Sequence, residues 1–397
     1  MEELIEKSDM LIADAKFKHQ RKVRGDINPE WKMNGIYGAR GVGKTTLLLQ
    51  NLKTLKKKGK EVLFVRLDDF YFIDNKLYYL ADEFRKNGGE YLYLDEVHKY
   101  PGWSRELKNI YDSLPSLKIV FSGSSIIELS KNEGDLSRRA LMYSMPGLSF
   151  REYLLLSGIA DLPVYTLEEI LTTHNDIAPE ISVKIPILKY FKQYLKAGFY
   201  PFFLEKNRNY FLTLEQIIRT VLEVDFKHIE EFDSSKSKQI LILLKIIASS
   251  SPFIPNISKI SKKTGLHRQT VLLYLHYLEK AGLAKQLNYP NKSISRLQKP
   301  DKLFLDNSNL FYALNPEMIN VGSLRETFAA NQLSVKHEVA MHGKADFLVD
   351  DKLIIEIGGK NKSNAQIRGL DNAFLFVDDI EVGYKNKIPL WLLGFLY

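Results

Sequence analysis

The sequence predicts an α/β protein assembled in pieces. A doubly wound parallel sheet comes first, then a helical segment, a winged helix-turn-helix, and a second α/β domain at the end. Three observations carry that expectation. A glycine-rich loop near residue 38 joins an apolar strand-like run to a helical one. Apolar runs at 61–69 and 90–96 end in carboxylates, and one at 117–121 ends in serines. After a helical middle, paired apolar runs return from residue 344 onward, so strands and helices alternate at both ends.

Length and composition bound the possibilities. The 397 residues suit two to three domains. Cysteine is absent, which excludes disulfides, thiol catalysis and Cys-ligated metal centres. There are 56 basic and 48 acidic residues, a net charge of +8, which leaves room for a polyanionic partner without requiring one. The most apolar stretch, 240–248, is broken by Lys245 and falls short of the ~18 residues a membrane span needs. The first seven residues are acidic and lack an apolar targeting core, so a cytoplasmic protein with no membrane association is expected.

Residues 1–34 read as a lead segment and 35–146 as the first domain. Within it, Gly38-x4-Gly43-Lys44-Thr45 is the phosphate-loop pattern, preceded by a strand over 33–37 and followed by a helix over 46–58. Glycines let backbone N–H groups turn inward toward phosphate oxygens, and the helix start aims its positive dipole end at the same anion. Gly38, Ala39, Arg40, Gly41, Val42, Gly43, Lys44, Thr45 and Thr46 are therefore the candidate nucleotide-binding residues. Lys44 is expected to reach the β- and γ-phosphates, and the Thr45 hydroxyl to ligate Mg²⁺. The strand over 90–96 ends in Asp95 and Glu96. Asp95 is the candidate second Mg²⁺ ligand, and Glu96 the group that orients and polarises the attacking water, since phosphoryl transfer depends on positioning and charge neutralisation. Ser122, and after it Ser124, are candidates to contact the γ-phosphate or that water.

The runs Gly38–Thr46, Leu94-Asp95-Glu96-Val97-His98-Lys99-Tyr100-Pro101-Gly102-Trp103, Ser122-Gly123-Ser124-Ser125 and Leu148-Ser149-Phe150-Arg151-Glu152-Tyr153 resemble, in order and spacing, a bacterial and archaeal family of AAA+ ATPases. Its members join a P-loop NTPase core to a C-terminal half of uncertain role. The resemblance implies ATP as nucleotide, a Mg²⁺-dependent ATPase, and Arg40 as an arginine typical of that loop. Where such proteins usually show Gly-Arg after the fourth strand, this chain has Arg138-Arg139. Arg139 is the candidate arginine finger or sensor, in its own site or a neighbour's.

Residues 147–235 read as a helical lid packed on the nucleotide domain, with helical apolar spacing at 187–195 and 212–226. Residues 236–300 carry a helix, a short helix capped by Asn256 and ended by Gly265, a longer helix from 266 and a strand over 283–289, the winged helix-turn-helix order. If this part binds DNA, His267, Arg268 and Gln269 would face bases, with Lys262 and Lys263 on phosphates. A packing or protein-interaction role is the alternative.

Residues 301–397 read as α/β again, with strands over 344–349 and 352–360 and a buried terminal strand over 388–397. Glu326, Asp346, Glu356 and a nearby lysine resemble the PD-(D/E)XK nuclease core, in which carboxylates hold Mg²⁺ and a lysine helps activate water. That pattern places the lysine two residues after the glutamate. Here position 358 is glycine and Lys360 comes two residues later, so a degenerate site used for binding or assembly is expected ahead of an active one. The functional expectation is thus an ATPase whose cycle moves the lid and winged helix, on DNA if the latter binds it, alone or with a protein partner or further copies of itself. An ATP-gated nuclease and a nucleotide-dependent binding switch with little turnover are the alternatives.

Overall fold

A computed structural model describes residues 1–15, 21, 27–28, 30–123, 136, 138–205, 209–228, 232–249, 254–290 and 298–397. Ser124 lies outside them. The chain divides into two compact units, Met1–Pro146 and Gly147–Tyr397. Among the described residues, no helix is long and apolar enough to cross a membrane.

The first unit is a five-stranded parallel sheet. Its strands are β1 (Met33–Tyr37), β2 (Val62–Arg66), β3 (Tyr91–Asp95), β4 (Lys118–Gly123) and β5 (Leu141–Ser144), in the order β2-β3-β4-β1-β5. Helices α1 (Glu2–Asp14), α2 (Lys44–Lys57), α3 (Tyr71–Asp74), α4 (Leu77–Lys86) and α5 (Trp103–Ser113) accompany it. The middle residues of the central strands are apolar because both faces are covered. α2 starts where Gly43 adopts φ 98°, a left-handed conformation that favours glycine, and it buries Leu47, Leu48, Leu52 and Leu55 on one face. The sequence reading places four of the five strands. It misses β5, an edge strand of four half-polar residues with Leu141 41% exposed.

The lead segment also gains structure. α1 buries Leu4, Ser8 and Ile12, and the Ser8 hydroxyl accepts a hydrogen bond (2.9 Å) from the Phe64 backbone N–H of edge strand β2. A helix thus covers a strand edge that would otherwise offer unpaired donors.

The second unit opens with α6 (Phe150–Leu156), α7 (Leu167–Lys184), α8 (Ile187–Ala197) and α9 (Tyr210–Glu223). α6 begins with a capping box, Ser149 and Glu152 each satisfying the other's backbone N–H. The sequence reading makes 147–235 a lid on the first unit. In the structure these helices share a core with the far end of the chain. Phe150 packs edge-on against Phe395, Tyr165 N–H donates to Phe395 O, and Arg151 donates to Tyr397 O. Aromatic side chains at 150, 191, 194, 328 and 395 close that core from both sides in sequence.

Next come α10 (Ser237–Ser249), α11 (Ile257–Thr264) and α12 (Arg268–Lys280), followed by β6 (Ala284–Leu287) paired antiparallel with β7 (Lys302–Leu305). Asn256 caps α11 and Gly265 ends it at φ 72°. α13 (Asn309–Leu314) and α14 (Val321–Leu333) lead to a second sheet, ordered β12-β11-β10-β9-β8. Its strands are β8 (Val339–Ala340), β9 (Phe347–Val349), β10 (Leu353–Gly358), β11 (Ala373–Val377) and β12 (Lys387–Pro389). The terminal run expected as a strand is one only at β12. Leu390–Phe395 is a 3₁₀ helix, buried as its apolarity demands.

Asn309 ties this unit together. It is fully buried, accepts from Phe199 N–H (2.8 Å) and the Tyr210 hydroxyl, and donates to Tyr194 O (3.0 Å) and Leu195 O (2.9 Å). Asn309→Ala leaves these groups buried without their partner. An unsatisfied buried group costs ~1–3 kcal/mol, so a loss of about 3 kcal/mol in urea unfolding is expected.

Candidate functional site

Parallel pairing brings the C-terminal ends of β1, β3 and β4 to one edge, with β4 between the other two. The loop after β1, the end of β3 and Ser122 on β4 therefore meet there, where open α/β sheets bind ligands. The contacts are direct. The Thr45 hydroxyl donates to Asp95 Oδ2 at 2.7 Å, and the Ser122 hydroxyl donates to Asp95 Oδ1. Lys44 is buried, and its ammonium donates to Gly38 O (2.8 Å) and Ala39 O (2.9 Å). Gly41 and Gly43 both have positive φ, 85° and 98°, which lets the loop fold around this point.

The two carboxylates at the end of β3 have opposite electrostatics. Burial pushes Asp95 above the usual carboxylate range. The neighbouring Glu96 charge adds to this, and hydrogen bonds from Ser122 and Thr45 oppose it. Glu96 also feels burial, but the charges of His98, Lys99, Lys44 and Arg40 together outweigh it and hold Glu96 below its ordinary value. Its Oε2 lies 3.4 Å from Lys99 Nζ, 3.7 Å from His98 Nε2 and 4.0 Å from Arg40 Nη2. Glu96 has φ 56°, an uncommon left-handed conformation for a glutamate, at the point where β3 gives way to a 3₁₀ turn. Lys99 also bonds Asp68 at 2.7 Å, tying the end of β2 to the same cluster.

A buried carboxylate and an adjacent threonine hydroxyl are the hard oxygen donors a magnesium ion takes. The residues present fit that ion.

Arg139 is not brought to this loop. It sits just before β5, which runs parallel to β1, so it lies at the opposite edge of the sheet, about 17 Å away along five residues of strand. There it makes a two-pronged pair with Asp112 at the end of α5 (2.9 and 3.0 Å). Sequence reasoning missed Lys99 and also Arg21, whose Nη1 donates to Val42 O in the loop (2.9 Å). Lys99 lies within the 94–103 run and Arg21 in no motif; neither signals a place at the loop, and the fold brings them near.

In the second unit, His267, Arg268 and Gln269 are exposed at the start of α12, and Lys262 and Lys263 at the end of α11. Farther on, Glu326 on α14, Asp346 beside β9 and Glu356 on β10 converge. The lysines differ. Lys302 pairs with Glu326 and lies 3.6 Å from Asp346, while Lys362 pairs with Glu356 at 2.6 Å. Lys360 is exposed, and its carbonyl accepts a hydrogen bond from Lys387.

Residues 30–154 match a protein-family model described as "AAA domain", and 188–321 match one described as a domain of unknown function. The first match spans the P-loop, Asp95 and Glu96, so the first unit carries a P-loop domain of the AAA ATPase type. No curated protein matches this chain. Solved structures similar to it include AMPPCP-bound DnaA from Aquifex aeolicus, at 17% identity over 63% of this chain and 82% of that one, with a TM-score of 0.25. The replication initiator DnaA bound to AMPPCP and single-stranded DNA gives 16%, 70%, 86% and 0.24. C. elegans PCH-2 gives 13%, 67%, 66% and 0.26. TM-scores this low establish no shared overall architecture.

Proposed function

We propose that the chain is a Mg²⁺-dependent ATPase whose chemistry takes place on the first unit. One observation carries this reading: the Thr45 hydroxyl and the Asp95 carboxylate, 50 residues apart in sequence, meet at 2.7 Å beside the phosphate loop. The loop N–H groups and Lys44 would bind the triphosphate, with Arg40 adding charge at the loop. Thr45 and Asp95 would hold Mg²⁺, which neutralises phosphate charge when bound. Glu96, kept ionised by its cationic neighbours, would orient the attacking water, and Ser122 positions Asp95. Arg139 would serve only a neighbouring copy's site, since its own lies across the sheet. Nucleotide turnover would then reset the helical segment and the winged helix-turn-helix expected over 236–300. Titration calorimetry with ATP and Mg²⁺ tests binding, and phosphate release tests turnover. Heat without phosphate release leaves a binding switch, and no heat ends the reading.

A second activity, DNA binding, is favoured by the exposed His267, Arg268, Gln269, Lys262 and Lys263 around the α11–α12 turn. The double change Lys262→Ala, Lys263→Ala is expected to reduce the slope of log affinity against log salt by about 2, roughly one per phosphate contact. An unchanged slope in filter binding or anisotropy would rule out DNA at this surface.

A further inference from the structure

The carboxylate cluster of the second unit resembles a metal-nuclease centre in its acids, but its cations contradict that role. Glu326, Asp346 and Glu356 converge from α14, β9 and β10, and Lys302 enters from β7. The Lys302 side chain is 7% exposed, and its ammonium bridges Glu326 and Asp346. The other Asp346 oxygen, Oδ2, accepts from Ile357 N–H at 2.9 Å. Glu356 Oε1 accepts from Lys362. Asp346 Oδ2 and Glu356 Oε1 are thus committed to protein donors, Glu356 Oε2 is buried without a hydrogen-bond partner, and the buried Lys302 ammonium forms ion pairs with the other two acids.

Gly358 explains how Lys362 gets there. A Cβ at position 358 would lie 2.4 Å from both Cβ and Cγ of Lys362, so the lysine stem runs over the bare glycine backbone to reach Glu356. A Cβ at Gly359 would meet the Arg325 guanidinium at 2.7 Å, and Arg325 is itself engaged by Asp378 at 2.8 Å. Gly358 thus admits a second cation to the acids, whereas Arg325, packed on Gly359, pairs with Asp378 and Asp379. Among the described residues, no group of three or more His, Asp or Glu side chains is arranged to hold a metal ion.

We infer that Lys302 is the resident counter-cation of this cluster, and that lysine charge closes the C-terminal domain to divalent metal and hence to metal-dependent strand cleavage. The cluster then serves as an ionic joint between β7, α14, β9 and β10. This inference does not depend on the ATPase reading, because its tests use nucleotide-free protein.

The sign of one stability change separates the two possibilities. In an empty metal site, neutralising one of three crowded carboxylates relieves repulsion and raises Tm. In a lysine-held joint, it strips a buried ammonium of its partner and lowers Tm. Glu326→Gln in the full-length chain is expected to lower Tm by several degrees, and millimolar Mn²⁺ to leave the wild-type Tm unchanged. Lys302→Met is expected to gain Mn²⁺ binding, read by electron paramagnetic resonance, that Asp346→Asn then removes. If Lys302→Met does not fold, the Glu326→Gln result decides by itself. A higher Tm for Glu326→Gln, or Mn²⁺ binding or DNA nicking by wild type that Glu356→Gln abolishes, would overturn the inference.

Discussion

Lys44→Ala is expected to lose measurable ATP binding, the largest single effect any substitution in this chain should have on function. The ammonium is buried within the loop and held by the carbonyls of Gly38 and Ala39, aligned with the phosphate site before any ligand arrives. Charge-assisted hydrogen bonds are worth ~1.5–3 kcal/mol each, so losing two from the β- and γ-phosphates lowers affinity by roughly 10²–10⁴. Calorimetry with Mg²⁺ reads that loss. Thermal melting without nucleotide shows whether the loop has kept its fold, since the same amine also bonds two backbone oxygens. Retained micromolar affinity in a folded variant would remove the phosphate loop as the binding site.

Glu96→Gln is expected to do the reverse: bind ATP normally and fail to turn it over. The amide keeps the shape of the carboxylate but cannot polarise water, and loss of a positioned acid–base group costs about 10²–10⁴ in rate. The pH dependence follows from the same surroundings. His98, Lys99, Lys44 and Arg40 hold the Glu96 carboxyl below its ordinary value, so the group loses its charge only as pH falls through that lowered pKa. Wild-type turnover, as far as Glu96 limits it, should therefore persist to lower pH than a carboxylate of ordinary pKa would allow. Single-turnover phosphate release across pH measures both effects. A Glu96→Gln variant with wild-type rates would show that another group handles the water.

The parts of this architecture visible in the sequence are those written locally. The phosphate loop, the helix after it and the carboxylate ends of β3 each lie within a few residues of their own signal, so the 33–37, 62–66 and 91–95 strands emerge close to their observed bounds. The α10–β6 succession is legible for the same reason, since Asn256 and Gly265 mark a helix start and stop by local backbone geometry. What escapes is long-range. Arg139 follows β4 in sequence, as a finger would, but it also stands just before β5, an edge strand the sequence does not announce, and β5 running parallel to β1 places it across the sheet. Lys360 has the alternation expected of a partner for Glu356, yet β10 ends at Gly358, and the chain beyond it turns so that Lys362 arrives instead. Helices 150–223 read as a lid because their apolar faces announce burial without naming a partner, and the partner lies as far away as Phe395. α1 is missed because its thirteen residues carry only three buried positions.

The packing of Phe150 on Phe395 sets an order of events during synthesis. At ~5–20 residues per second, the ribosome needs roughly 12–50 s to travel from one ring to the other. During that interval the first unit already has every strand of its sheet, whereas helices 150–197 must keep their aromatic faces uncovered. The nascent chain therefore carries a first unit with its strands complete, tethered to a second that still awaits its closing residues.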